Sequence, residues 1–275
     1  MALTACSGEV GPREVEPPDG LARLLHQGEE AEARGDGAQA GAAYENAVRE
    51  FPCHSASWTC RAEFLRFWMN DAAGAESAFR KALECPAYDR ASLAFAWRGL
   101  GELTREKGNT EGAIQAFERS IRLKPLADTY RSLSALYANE KKDFARAREY
   151  AVEAVRARPD DAIALMQLAV QSHRTGNPEE AASAFRRGID IAGCDEVGRS
   201  RKAVHCCVLY NGACYYAVRG DPRRAVAMLR EFFLTPNHRH ITRAEILADP
   251  DFSGLLRDPE FEGLVDRYLP EAGNR

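Results

Sequence analysis

The sequence predicts an all-α fold, a solenoid of stacked antiparallel helix pairs, from three observations. Apolar and small residues recur at helical spacing, as in Trp97, Leu100, Gly101 and Thr104, which fall at i, i+3, i+4 and i+7. Turn-forming residue pairs interrupt this pattern at nearly regular intervals. Two short helices joined by a tight turn cannot bury their apolar faces alone, so a repeated pair implies stacking.

The turns between paired helices define the repeat length. At Gly108-Asn109, glycine can adopt the left-handed conformation that ends a helix, and asparagine can cap the next helix through its side-chain oxygen. Successive turns lie 35, 38, 34, 34 and 44 residues apart, which predicts about six units. The turns are Gly35-Asp36, Asn70-Asp71, Gly108-Asn109, Lys142-Asp143, Gly176-Asn177 and Gly220-Asp221.

Residues 94–125 carry the clearest pattern. Gly101 and Ala113 are expected to let the two backbones approach, while Trp97 and Phe117 fill the space between hairpins and Pro125 ends the unit. The order Trp97, Leu100-Gly101, Ala113, Phe117, Pro125 resembles the tetratricopeptide repeat, with Thr104 where that family usually carries Tyr. The resemblance covers most of the chain and implies a right-handed α-solenoid, the tetratricopeptide superhelix.

The chain is expected to divide into a tail, one array and a cap. Residues 1–20, rich in Pro, Gly and acidic residues, are predicted to be disordered. Residues 236–275 are predicted to hold capping helices, because an Asp cap precedes Pro at Asp249-Pro250 and again at Asp258-Pro259. The array between them spans residues 21–235, in units 21–52, 55–86, 94–125, 127–159, 162–193 and 206–235, with an insertion at 194–205.

Composition excludes several classes of function. A net charge of −4, from 37 basic and 41 acidic residues, argues against nucleic acid as the main partner, because phosphate binding needs a concentrated positive surface. The sequence has no run of 18 apolar residues, so no transmembrane helix is predicted.

Catalytic and metal motifs are also missing from the sequence. We find no phosphate-binding glycine loop, no H-E-x-x-H and no nucleophile elbow, so we predict a protein that is not an enzyme and needs no cofactor. The eight cysteines include no C-x-x-C pair, and no metal site is predicted. A metal or redox site at Cys206, Cys207 and Cys214 is the alternative, against the interpretation that these cysteines are small core residues.

The resemblance implies a binding surface for a protein or peptide. In stacked hairpins of this family the first helix of each pair lines the concave side, where partners sit. The chaperone-tail clamp of one subclass is absent, because Leu25 and Glu29 stand where Lys and Asn would be needed. Self-association stays open. The candidate partner-binding residues are Glu29, Glu63, Arg66, Arg98, Glu102, Arg105, Arg131, Met166, His173 and Tyr210.

The first residues leave two localisations open. Leu3 to Cys6 resembles a lipobox, which makes Cys6 a candidate lipidation site, but only five residues precede the cysteine and no apolar stretch does. If the match is accidental, a cytoplasmic scaffold is expected, which the many cysteines also favour. If translation starts upstream, the chain is a membrane-anchored lipoprotein that assists assembly of an envelope complex.

Overall fold

The predicted all-α architecture of helix pairs is confirmed. The computed structural model describes residues 13–195, 198, 206–235 and 241–270. The chain divides into two compact units, Met1–Thr129 and Tyr130–Arg275. Among the described helices, none combines the length and the apolar character that crossing a membrane requires.

The first unit consists of three helix pairs. The helices of each pair pack on each other, and the first helices also contact one another in sequence order, α1 with α3 and α3 with α5. The helices are α1 (Asp19–Ala33), α2 (Gly37–Glu50), α3 (Ser55–Phe67), α4 (Ala72–Glu84), α5 (Arg90–Glu106) and α6 (Thr110–Leu123).

The second unit continues with helix pairs and then closes with short helices. Its core is one apolar cluster that runs from α8 to α14 and includes Phe252 and Phe261, both fully buried. Its helices are α7 (Ala127–Asn139), α8 (Phe144–Ala157), α9 (Ala162–Arg174), α10 (Pro178–Ala192), α11 (Cys206–Val218), α12 (Pro222–Leu234), α13 (Arg243–Ala248), a 3-10 helix (Pro250–Leu255) and α14 (Pro259–Tyr268).

All six predicted turns are confirmed by backbone geometry. The first residue of each turn has a positive φ, including the two non-glycine residues Asn70 at 51° and Lys142 at 55°. The second residue caps the following helix. Five of these residues accept a hydrogen bond from the backbone N–H three positions ahead: Asp36, Asp71, Asn109, Asp143 and Asp221.

The predicted N-terminal tail is shorter than expected. A strand β1 (Arg13–Glu14) pairs in parallel with β2 (Ala87–Tyr88), and α1 begins at Asp19. The N–H of Val15 donates to the carbonyl of Tyr88 at 2.7 Å. The prediction of disorder is therefore wrong for residues 13–20, because the lengthened connection between α4 and α5 satisfies their backbone groups. Residues 1–12, including Cys6, lie outside the described part of the chain.

Two glycines at the small positions of the repeat lie under aromatic rings. A Cβ atom on Gly101 would lie 2.6 Å from the Phe117 ring, and one on Gly28 would lie 2.4 Å from Tyr44. Phe117 is fully buried. Trp97, in contrast, is only partly buried, with the guanidinium of Arg119 lying 4.5 Å from its ring centroid. Trp97 therefore lies at the edge of the core.

Candidate functional site

Six of the predicted partner-binding residues lie on α1, α3 and α5, the successive first helices of the first unit. We call this set the charged row. Its members are Glu29, Glu63, Arg66, Arg98, Glu102 and Arg105.

Ion pairs connect the charged row across neighbouring repeats. Arg98 Nη2 donates to Glu63 Oε1 at 3.0 Å, and Arg66 Nη2 donates to Glu106 Oε1 at 2.8 Å. Both bonds join α3 to α5. In the first bond the arginine lies on α5, and in the second it lies on α3. The two first helices are therefore held together by guanidinium–carboxylate pairs, which are stronger than neutral hydrogen bonds.

Exposure divides the charged row into a centre and two ends. At the centre, the side chains of Glu63, Arg66 and Arg98 are 23%, 13% and 17% exposed. At the ends, those of Glu29 and Arg105 are 65% and 47% exposed. The centre can order the surface, and the ends offer charge to a partner.

The end of the charged row on α1 is electrostatically acidic. Burial raises the pKa of Glu32, and a hydrogen bond with Tyr44 opposes this rise. The charges of Glu29 and Glu63 raise the pKa further. Burial and the charge of Glu102 raise the pKa of Glu63, although Arg98 and Arg66 act in the other direction. Carboxylates of α1 and α3 thus influence one another, and a cation placed among them would be stabilised.

Arg131 belongs to the second unit and has a local partner there. Its Nε lies 3.6 Å from Asp161 Oδ2. The other oxygen of Asp161 caps α9 by accepting from the N–H groups of Ile163 and Ala164. Arg131 thus neutralises a capping carboxylate that is buried.

Met166 was predicted on the binding surface, and this prediction is wrong. Its side chain is fully buried, and its Cε would lie 3.0 Å from a Cβ on Gly188. Met166 therefore points from α9 towards α10, inside the hairpin. His173, another predicted residue, is partly buried, and both burial and the neighbouring Arg219 lower the pKa of its imidazole.

Tyr210 lies beneath residues that follow α12. Its hydroxyl donates to Asp249 Oδ2 at 2.6 Å, and its ring meets that of Phe252 edge-on, with centroids 5.5 Å apart. On the same side, Arg174 forms an ion pair with Asp251. Sequence reasoning assigned Asp249 the role of a helix cap, which the structure confirms because its Oδ1 accepts from the N–H of Asp251, but it did not predict the contacts of Asp249 with Tyr210 and of Asp251 with Arg174. The only available signal was the Asp-Pro-Asp-Phe pattern, which we interpreted as a helix cap.

One group of potential metal ligands occurs among the described residues. Ligand atoms of Cys214, Asp249 and Asp251 lie within 4.8 Å of one another. The ion pair between Arg174 and Asp251 already supplies positive charge there, and burial raises the pKa of the Cys214 thiol, which disfavours a thiolate ligand. This arrangement fits an internal ion pair better than a metal centre.

Most of the described cysteines lie outside any disulfide, and two of them are core residues. Cys85 and Cys214 are buried, at 8% and 3% exposure, and Cys53 is disulfide-bonded. Burial raises the pKa of Cys207 to about 11, and the adjacent Cys206 adds to the effect. A high pKa makes a thiol a poor nucleophile near neutral pH. The cysteines outside any disulfide are Cys60, Cys85, Cys194, Cys206, Cys207 and Cys214.

Family comparison agrees with the helix-pair geometry. Two models of the tetratricopeptide repeat match the sequence, over residues 96–125 and 133–193. The chain is a tetratricopeptide repeat protein. Proteins with these repeats generally act as interaction scaffolds that bind protein or peptide partners, and they are generally not enzymes.

Solved structures share the fold of this tetratricopeptide repeat protein. PilF of Pseudomonas aeruginosa is 18% identical, with 79% of this chain and 92% of PilF covered and a TM-score of 0.58. PilW, described as a widely conserved type IV pilus biogenesis factor, is 17% identical, with 90% and 100% covered and a TM-score of 0.59. The Cut9–Hcn1 assembly of APC/C is 16% identical, with 90% and 42% covered and a TM-score of 0.61. No curated protein matches the sequence significantly.

Proposed function

We propose that this protein is a non-enzymatic scaffold whose charged row binds a segment of a partner protein and so supports assembly of a complex. The observation behind the proposal is the arrangement of charge on three consecutive first helices. Ion pairs at the centre of the row fix side chains in place, and exposed groups remain at its ends. Such a preorganised surface loses little side-chain freedom when a partner binds.

The charges of the row favour a partner segment that carries basic residues. Glu29, Glu32 and Glu63 cluster where α1 meets α3, and the exposed Arg105 lies on α5. An extended segment with Lys or Arg near α1 and an acidic residue near Arg105 would match this order. Nucleic acid suits the surface poorly, because phosphates would meet the carboxylates of α1 and α3.

Site-specific crosslinking tests the proposed surface. A photoreactive amino acid replaces Glu29 in one variant and Arg105 in another, and Glu50 on α2 serves as a control with similar exposure, at 53%. We expect the same partner to be captured from native cells at Glu29 and Arg105 and not at Glu50. Equal capture at all three positions, or capture at Glu50 alone, would contradict the proposal. Capture of a second copy of this chain would identify the interaction as self-association.

We propose a cytoplasmic location, with a lipid-anchored envelope protein as the alternative. The Leu3 to Cys6 pattern is what favours the alternative. Mass spectrometry of the N-terminus of the protein purified from its native cells separates the two. An unmodified Met1 or Ala2 supports the cytoplasmic scaffold, whereas a lipid on Cys6 supports a scaffold that assists envelope assembly from the membrane.

A further inference from the structure

Residues Asp249–Phe252 lie against the first helices α9 and α11, and their side chains make specific contacts there. The hydroxyl of Tyr210 donates to Asp249 at 2.6 Å, Arg174 pairs with Asp251, and Phe252 is fully buried beside the Tyr210 ring. We call this stretch the internal segment. Two acidic residues and one aromatic residue within four positions therefore contact two successive first helices.

The residues that receive the internal segment supply donors and positive charge. Tyr210 belongs to α11, Arg174 ends α9, and Lys142 lies in the turn before α8. Burial raises the pKa of Asp249, and Tyr210, Arg174 and Lys142 all act against this rise. The guanidinium of Arg174 also lies 4.5 Å from the ring centroid of Phe144. We call Lys142, Arg174 and Tyr210 the receiving residues. Their charge complements the carboxylates of the internal segment, as in the recognition of an acidic peptide.

These polar contacts exceed what a helical cap needs. Phe252, Leu255 and Phe261 already cover the apolar surface of the last repeat. The side chains of Arg174 and Asp251 are 10% and 9% exposed, and a buried ion pair often adds little net stability because both charges lose water. Such a pair is better explained by specificity for a carboxylate at this position than by stability.

The sequence contains a second segment with the order Asp, Pro, acidic residue, Phe, which can be compared with the internal segment. Asp258-Pro259-Glu260-Phe261 repeats the order of the internal segment, and Phe261 is also fully buried. Both aspartates cap a helix: Asp258 accepts from the backbone N–H groups of Glu260 and Phe261, and Asp249 Oδ1 accepts from the N–H of Asp251 at 2.9 Å. The second oxygen of Asp249, Oδ2, accepts in addition from the hydroxyl of Tyr210 on α11. The contacts of Asp249 and Asp251 with side chains of earlier repeats thus distinguish the internal segment from an ordinary cap.

We infer that the receiving residues form a binding site for acidic peptide segments of the Asp-Pro-Asp-Phe type, and that the internal segment fills this site until a partner's segment of the same chemistry replaces it. The site is separate from the charged row and does not depend on the function proposed for it. It favours a partner with clustered Asp residues next to an aromatic residue, whereas the charged row favours a basic one.

A peptide with the sequence of residues 247–256, LADPDFSGLL, tests the inference. Fluorescence anisotropy measures its binding to the full chain, to an Asp251→Asn variant and to the control Asp258→Asn. Loss of the internal carboxylate frees Arg174 for the peptide, so we expect Asp251→Asn to bind at least about tenfold more tightly than the unaltered chain. The control should bind like the unaltered chain.

Two further comparisons make this test specific. Adding Arg174→Gln to Asp251→Asn should abolish the gain, and so should replacing the second Asp of the peptide with Asn. Equal binding by Asp251→Asn and the unaltered chain, or equal binding of both peptides, would overturn the inference. An Asp251→Asn variant that also carries changes at Glu29 and Arg105 should still bind the peptide, which separates this site from the charged row.

If circular dichroism shows that Asp251→Asn does not fold, hydrogen exchange of the unaltered chain tests the inference instead. The unaltered full chain is then measured with and without an excess of the same peptide. We expect faster exchange of the amides from Asp251 to Leu255 when the peptide is present, because the internal segment is displaced. Unchanged exchange across these amides would contradict displacement.

Discussion

Arg98 on α5 donates a hydrogen bond of 3.0 Å to Glu63 on α3, and so joins the first helices of two consecutive repeats. Both side chains are mostly buried, at 17% and 23% exposure. Burial and the charge of Glu102 together raise the pKa of Glu63 more than Arg98 and Arg66 lower it. The pair therefore orders the charged row and contributes little net stability.

Removing one partner of this pair should cost more than removing an exposed charge. Arg98→Ala leaves Glu63 without its guanidinium partner, and we expect a loss of about 1–3 kcal/mol in the free energy of unfolding. Arg105→Ala, at a side chain 47% exposed, should change it by no more than about 0.5 kcal/mol. Urea denaturation followed by circular dichroism measures both. Equal losses would show that the Arg98 pair is solvated in solution.

The contact between Gly101 and Phe117 predicts a steric effect. An alanine Cβ at position 101 would lie 2.6 Å from the ring, so Gly101→Ala should destabilise the protein by about 1–3 kcal/mol. Gly263 on α14 has no heavy atom within 4 Å of the same position, and Gly263→Ala should be neutral or stabilising by up to about 1 kcal/mol. Thermal unfolding of the two variants checks the contrast, and stabilisation by Gly101→Ala would contradict the packing described.

Two aromatic residues of the central repeat should differ in their importance. Phe117 is fully buried, so Phe117→Ala should cost about 3–5 kcal/mol. Trp97 is partly buried beside Arg119, so Trp97→Ala should cost less, about 1–3 kcal/mol, instead of the core value that its place in the repeat suggests. The denaturant midpoints of the two variants show which substitution costs more stability. A larger loss at Trp97 would place it in the core.

Stability and binding at the charged row should respond to pH in opposite directions. The pKa values of Glu32 and Glu63 are raised above 4.5, so the folded state holds their protons more tightly than the unfolded state. Their effect on stability therefore becomes less favourable as pH rises from 4.5 through the raised values. Binding of a basic segment needs the carboxylates charged and should strengthen over the same range. Calorimetric titration at several pH values checks this, and binding that weakens over that range would contradict it.

The helix-pair fold was predictable because its signals are local. A turn such as Gly108-Asn109 carries both the left-handed residue and the cap within two positions, and the structure confirms both. Pairing of Arg13 with Ala87 was not predictable, because a two-residue strand contains too few residues for a periodic pattern. For this reason the sequence did not predict that ordered structure begins at Arg13 instead of at residue 21.

The outward-facing residues of the first helices were predictable only where a helix has a polar side. Helix α5 exposes Arg105 on one face and buries Leu103 on another, so the exposed position of Arg105 was predictable. Helix α9 is buried on several sides, with Met166 and Val170 both covered, and spacing alone gave no unique outward face. The contact between Arg174 and Asp251 depends on tertiary structure, which no local motif encodes.

The central claim, that the charged row binds a partner, is tested most directly by exchanging its exposed charges. One variant combines Glu29→Arg with Arg105→Glu. The matched control combines Arg49→Glu with Glu50→Arg on α2, at side chains 69% and 53% exposed, and likewise keeps the net charge. Tagged proteins are purified from native cells, and their partners are quantified by mass spectrometry.

The account predicts a partner that the unaltered protein and the control recover equally, and whose recovery falls at least about tenfold with the exchanged row, because like charges then meet across the interface. If every partner of the unaltered protein is recovered undiminished with the exchanged row, the charged row is not the binding surface.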